Sequence, residues 1–232
     1  MEVVPGLHLI AGLSQVYLYE EADRLTLIDT GLFNGTQRVL DAIASIGRRP
    51  EDLAQIVATH SHADHTGSLA ALVERTDAQV LVHALDAPVV RGLAPEPPPV
   101  YTSDAEREAG ERVIPLVPPA PPCRVDRELH DGDEIDLAGG ARVVHAPGHT
   151  DGSIAVYVPS RRILFSGDSV ERDLEDNVIV GVFNTDPAQA RASARMLAQL
   201  DVEVACFGHG RPLSKAASLH LRRFADALAT AL

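Results

Sequence analysis

Thr59-His60-Ser61-His62-Ala63-Asp64-His65 directly follows a short apolar run at 56–58. Three histidines and a carboxylate within six residues make poor core filling, because a buried imidazole needs a polar partner. On a loop between a strand and a helix, His60 and His62 can converge on one ion, while Asp64 and His65 face a neighbouring point. Imidazole nitrogen and carboxylate oxygen suit zinc, and also iron or manganese.

Three further stations lie downstream. His149 sits in Ala146-Pro147-Gly148-His149-Thr150, Asp168 in Phe165-Ser166-Gly167-Asp168-Ser169, and His209 in Cys206-Phe207-Gly208-His209-Gly210. Each follows an apolar run that reads as a strand, and each has glycine beside it. Ligands at strand ends are held on rigid elements, and glycine lets the backbone come close. Upstream, Asp29-Thr30-Gly31 follows another such run. His8, His83, His130 and His220 lie outside these stations and read as surface or satisfied core residues, and His145 leads toward His149.

Periodicity predicts strands at 16–19, 25–28, 56–58, 80–82, 143–145, 154–158, 163–165 and 204–207, the first two forming a hairpin. Helices are expected at 36–46, with Asn34 near its start, and at 68–75. Asp186-Pro187 opens another helix to about 200, and Ser214 is positioned to cap a final one. This is a β-rich pattern with interspersed helices, not an all-parallel βαβ series. Ten of the 16 prolines fall within 86–122, where 103–112 can form a short helix with Ser103 and Glu106 in capping-box spacing. That segment reads as an insertion, a lid or pocket wall between two ligand stations.

In their order and spacing, these residues resemble the metallo-β-lactamase fold superfamily, whose H-x-H-x-D-H element is followed by a later His, an Asp and a final His. The resemblance spans nearly the whole chain and implies an α+β, four-layer αβ/βα sandwich over 1–232 as a single domain. It implies two divalent metal ions, Zn2+ first with Mn2+ or Fe2+ as alternatives. His60, His62 and His149 would hold one, Asp64, His65 and His209 the other, and Asp168 would bridge them. Asp29 would orient a ligand from behind. The expected enzyme is a hydrolase in which a hydroxide shared by the metals attacks a small ester, lactone or thioester, with Asp64 shuttling a proton to the leaving group.

Members of the superfamily sharpen this. Hydroxyacylglutathione hydrolases share all seven ligands but carry a helical C-terminal domain, whereas only 22 residues follow Gly210 here. N-acyl homoserine lactonases are closer in length and carry an insertion in the corresponding place. They use a tyrosine after the bridging aspartate; none follows Tyr157 here, leaving Asn177, Asn184, Arg191 or Tyr101 to substitute. The alternative is a mononuclear-iron persulfide dioxygenase, which shares the H-x-H-A-D-H spelling. Ser169-Val170-Glu171-Arg172-Asp173-Leu174 does not fit the glycine-arginine segment of those enzymes.

Composition sets the outer bounds. The chain has 232 residues, 45% of them apolar and 23% charged, enough for a sizeable core. A formal charge of −13 is the wrong sign for neutralising a phosphate backbone, so neither nucleic acid nor a membrane surface is an expected partner. A small-molecule substrate and a homodimer are compatible with it. Residues 1–13 lack the basic start of a signal peptide, and two isolated cysteines suggest no disulfide framework, so a cytoplasmic setting is expected.

Overall fold

Strand order in space follows strand order in sequence through the first half of the chain. The computed structural model describes residues 1–230 and divides into two compact units, one of Met1–Glu96 with Val113–Leu129, the other of Pro97–Arg112 with His130–Leu232.

The first unit carries a seven-stranded sheet. Its strands are β1 (Glu2–Val4), β2 (Leu7–Ile10), β3 (Val16–Glu20), β4 (Leu25–Ile28), β5 (Leu53–Val57), β6 (Gln79–His83) and β7 (Arg127–Leu129), lying side by side in that order. β1 to β4 pair antiparallel and β4 to β7 parallel. The expected hairpin is β3–β4, in the register Tyr17 opposite Ile28. β1, β2 and β7, which periodicity missed, are three or four residues long and too short to show a pattern.

The parallel crossovers need helices on the sheet face. α1 (Thr36–Ser45) buries Val39, Leu40 and Ile43; a one-turn α2 (Ala63–Thr66) carries part of the His motif; α3 (Leu69–Thr76) buries Leu69, Leu72 and Val73; and α4 (Ala87–Val90) buries Ala87 and Val90. They close one core with Val16, Leu18, Leu25, Leu27, Leu53, Ile56, Val80 and Val82. α1 starts from Gly35 without a side-chain cap, so Asn34 does not cap it.

The second unit holds a five-stranded sheet in the order β14 (Val204–Cys206), β11 (Ile163–Phe165), β10 (Ile154–Val158), β9 (Ala141–His145), β8 (Glu134–Ile135), beside a small ribbon of β12 (Glu171–Arg172) and β13 (Val178–Ile179). α6 (Pro187–Leu197) and α7 (Ala217–Thr230) supply Ala194, Leu197, Leu221 and Phe224 to a core with Val144, Leu164, Ala205 and Phe207. Asp186 caps α6 as expected, its Oδ1 accepting from the Gln189 N–H at 3.0 Å. Ser214 does not cap α7, which begins three residues later. The N–H groups of Ala216 and Ala217 go instead to the Glu203 side chain and carbonyl, a partner distant in sequence.

The proline-rich excursion is divided between the units, with 86–96 and 113–122 in the first and 97–112 in the second. α5 (Asp104–Val113) forms where expected. Ser103 Oγ accepts from the Glu106 N–H as a cap, but the Glu106 carboxylate reaches Thr102 rather than the Ser103 backbone, so the box closes one residue early. No described helix is long and apolar enough to cross a membrane.

Leu72 has no exposed surface and joins α3 to the sheet. Leu72→Ala is expected to cost about 2–5 kcal/mol, because the rigid sheet beneath it cannot collapse into the cavity. A urea midpoint shifted by less than a tenth of its value would contradict this.

Candidate metal centre

Asp29 and the His motif are built together by the parallel pairing of β4 and β5. Ile28 stands opposite Val57, so the loops leaving both strands emerge side by side. The Asp29 N–H donates to the Val57 carbonyl at 2.9 Å, and its buried carboxylate reaches the following loop. Oδ1 accepts from the Thr59 N–H at 2.7 Å; Oδ2 accepts from Thr59 Oγ1 at 2.8 Å and meets His65 Nδ1 at 2.9 Å. This residue adopts φ +59°, a left-handed conformation that Asp tolerates better than most side chains.

These bonds decide two tautomers. A carboxylate only accepts, so His65 carries its proton on Nδ1. Thr59 spends its single hydroxyl proton on Asp29, so its oxygen accepts from His60 Nδ1 at 3.0 Å. In the neutral ring both imidazoles therefore offer Nε2 as the acceptor, the atom through which such a histidine binds a metal. The rings gather closely, His60 lying 4.7 Å from His62 and 4.2 Å from His65 between centroids. His65 Nε2 stands 3.5 Å from Asp64 Oδ2. Two donors each ~2.1 Å from a tetrahedral ion would be ~3.4 Å apart, so this spacing fits shared coordination.

The backbone of the motif is pinned from several sides. Thr30 donates through N–H and hydroxyl to the His65 carbonyl, Ser14 donates to the Asp64 carbonyl, and the Ser61 N–H donates to Asp86 Oδ2 at 2.8 Å. Ser14 and Asp86 carry no signal in the sequence, since an isolated Ser or Asp far from a motif looks like any other.

Parallel pairing repeats the device in the second unit. Phe165 of β11 lies opposite Cys206 of β14, and three residues beyond each come Asp168 and His209. Equal offsets from paired positions bring them together: His209 Nε2 is 3.3 Å from Asp168 Oδ2. His149, on the loop leaving β9, places its Nε2 3.5 Å from the same oxygen. Two imidazole nitrogens around one carboxylate oxygen, at the separation of co-ligands, again fit a metal. Gly148 precedes His149 with φ +121°, and a Cβ there would lie 2.1 Å from the Ala190 backbone in α6. Gly181 comes closer still, its imagined Cβ only 1.8 Å from the Asp168 carbonyl, a constraint that spacing did not reveal.

Other expectations resolve individually. Asn177 is engaged with Asp173, the Asn184 amide donates to the Gly181 carbonyl, and the Tyr101 ring packs against Gly110. His83 is buried, His130 and His220 are exposed, and His145 Nε2 meets the Asp151 carbonyl at 2.9 Å.

Beside the motif lies a cavity of about 230 Å³, walled by Ser61, Ala63 and Thr66 on one side and by Val89, Ala94, Glu96 and Ala120 on the other. Sequence reasoning passed over Glu96, whose Oε1 lies 3.1 Å from His62 Nε2. Its carboxyl is pushed up to about 7, first by removal from water and then by the charges of Asp64 and Asp86.

Residues 9–209 match the family model described as the metallo-beta-lactamase superfamily. The probable metallo-hydrolase YflN of Bacillus subtilis (strain 168) is 26% identical over 234 residues, spanning 92% of this chain and 87% of that protein. The acyl-coenzyme A thioesterase MBLAC2 of Gallus gallus is 34% identical over 172 residues, spanning 68% of this chain but 57% of that protein. In three dimensions the chain resembles a metallo-beta-lactamase family protein from Thermus thermophilus, with a TM-score of 0.69 and 23% identity over 98% of this chain and 81% of that one. The likeness to that structure carries the fold alone.

Asp29→Ala leaves the buried Thr59 N–H without an acceptor and puts alanine at a positive φ. A loss of about 3 kcal/mol is expected from the two effects together. Asp29→Asn should lose clearly less, since Asn tolerates that φ and can still accept from Thr59. Equal losses in thermal or denaturant unfolding would refute this account.

Proposed function

We propose that this chain, which belongs to the metallo-beta-lactamase superfamily, is a dinuclear metal-dependent hydrolase of small esters, lactones or thioesters. The observation that carries the reading is the preparation of the histidines. Thr59 and Asp29 hold His60 and His65 in the tautomer that offers Nε2, while His149 and His209 share one oxygen of Asp168. Such a donor set fits divalent cations of the zinc, manganese or iron type.

By the superfamily's ligand order, His60, His62 and His149 would hold one ion and Asp64, His65 and His209 the second, with Asp168 a ligand to both. Bound divalent ions supply a water of lowered pKa and a Lewis acid for the acyl carbonyl. The protein does the rest. Asp29 and Thr59 keep the imidazoles aimed, with the Nδ1 proton directed at an oxygen and Nε2 turned the other way. The Asp64 oxygen that does not meet His65 is the group to hand a proton to the leaving alkoxide or thiolate. The cavity walled by Val89, Ala94 and Ala120 receives the acyl chain and shields it from water. The activity named for MBLAC2, removal of an acyl group from a thioester, supports placing thioesters first among the substrates to try.

Protein purified without chelator or added metal is expected to carry close to two divalent ions per chain, with hydrolysis of an ester, lactone and thioester panel abolished by EDTA. Asp168→Ala should lose two-metal occupancy. About one iron per chain, with oxygen consumed in the presence of persulfides, would replace the hydrolase with an oxygenase.

Filling the cavity provides a separate check on substrate placement. Ala120→Phe is expected to lower kcat/KM for octanoyl thioesters at least ~10-fold relative to acetyl ones, since ~1.4 kcal/mol of lost apolar contact corresponds to that ratio. Parallel losses for both chain lengths would remove the acyl chain from this cavity.

A further inference from the structure

The proline-rich excursion delivers a carboxylate to the ligand loop. Glu96 is flanked by Pro95 and Pro97, in the run Pro95-Glu96-Pro97-Pro98-Pro99. Proline fixes its own φ and restricts the residue before it, so the segment presents Glu96 with little backbone freedom left to lose. Oε1 of Glu96 stands 3.1 Å from Nε2 of His62, while its side chain keeps 44% of its surface exposed. That is a direct contact between a carboxylate oxygen and an imidazole nitrogen, about 0.3 Å shorter than the ~3.4 Å between two donors of one tetrahedral ion, so a small outward shift of Glu96 would let both atoms face the same ion.

The loop that carries His62 is itself held in place, the Ser61 N–H donating to Asp86 Oδ2 at 2.8 Å. Ser61 Oγ, buried and lining the same cavity, adds a polar atom that makes no hydrogen bond within the protein.

We propose that Glu96 is an additional oxygen ligand for the metal ion held by His62, contributed by the excursion and lying outside the seven stations of the His/Asp pattern. This rests on the reading of the centre as a metal site. A second hard oxygen at a histidine-rich position has a chemical consequence: it shifts preference from zinc toward manganese or iron, whose affinity depends more on carboxylates. It also makes the excursion sensitive to metal loading, because the ion then ties Glu96 to the His loop.

The test is metal affinity of the demetallated full-length chain, titrated separately with Zn2+ and Mn2+ against a competing chelator, for wild type and Glu96→Gln. Glutamine keeps the size and removes the charge, and thermal unfolding of the two metal-free proteins verifies that the fold is retained. The expected result is an affinity lower by at least ~10-fold for Mn2+ and by a smaller factor for Zn2+, comparable to losing an outer carboxylate partner or more. Unchanged affinities for both ions would overturn the proposal while leaving the hydrolase reading intact. Tighter binding by Glu96→Gln would also overturn it, since Glu96 would then be occupying His62 in competition with the ion. A wild-type chain that binds neither ion would sink both readings at once.

Discussion

A carboxylate removed from water is stable only where donors meet its charge, and Asp29 collects three within 2.9 Å: an amide, a hydroxyl and an imidazole. The arrangement depends on the register of β4 against β5, which brings the residue after Ile28 beside the residues after Val57. Slipping that register by one residue would send the side chains of the displaced strand to the opposite face of the sheet and disrupt the packing on both faces. The hydrophobic core of the sheet and the orientation and tautomer of His60 and His65 are therefore fixed by the same pairing. The geometry of the histidine loop is a by-product of core packing and needs little dedicated structure.

That coupling explains why so much was legible in the sequence. Strands at 25–28, 56–58, 163–165 and 204–207 are apolar runs buried on both faces, and each ends directly before a polar or glycine-flanked motif. The join between pattern and chemistry could be read because the chain switches abruptly from one to the other. What stayed hidden was of a different kind. Ser14, Asp86 and Glu203 act through partners far away in sequence, where no local spacing records the contact. Ser214 looked like a cap because caps are judged locally, and a glutamate from elsewhere took the role. Gly181 was invisible for the opposite reason: its importance lies in the atoms it lacks.

The proline-rich excursion shows how one segment can serve several ends. Its two limbs rejoin the first unit and close a cavity beside the His loop, with α4 and Pro119 to Pro121 among the walls. Its middle stretch, 97–112, belongs to the second unit, where the Val100 N–H reaches the Asn184 carbonyl at 2.8 Å. Proline density gives stiffness where Glu96 meets His62.

The order of the first sheet bears on how the protein is made. Its seven strands lie in space as they occur in the chain, so each new strand emerging from a ribosome adds to the edge formed by the one before. No earlier strand has to wait for a much later partner, except that the β6 edge stays open while the residues up to β7 are synthesised. An open parallel edge is a template for unwanted pairing with another chain. The interval between those two strands is thus when a nascent chain of this topology is most exposed to aggregation, and slowing translation across the proline-rich stretch would prolong it.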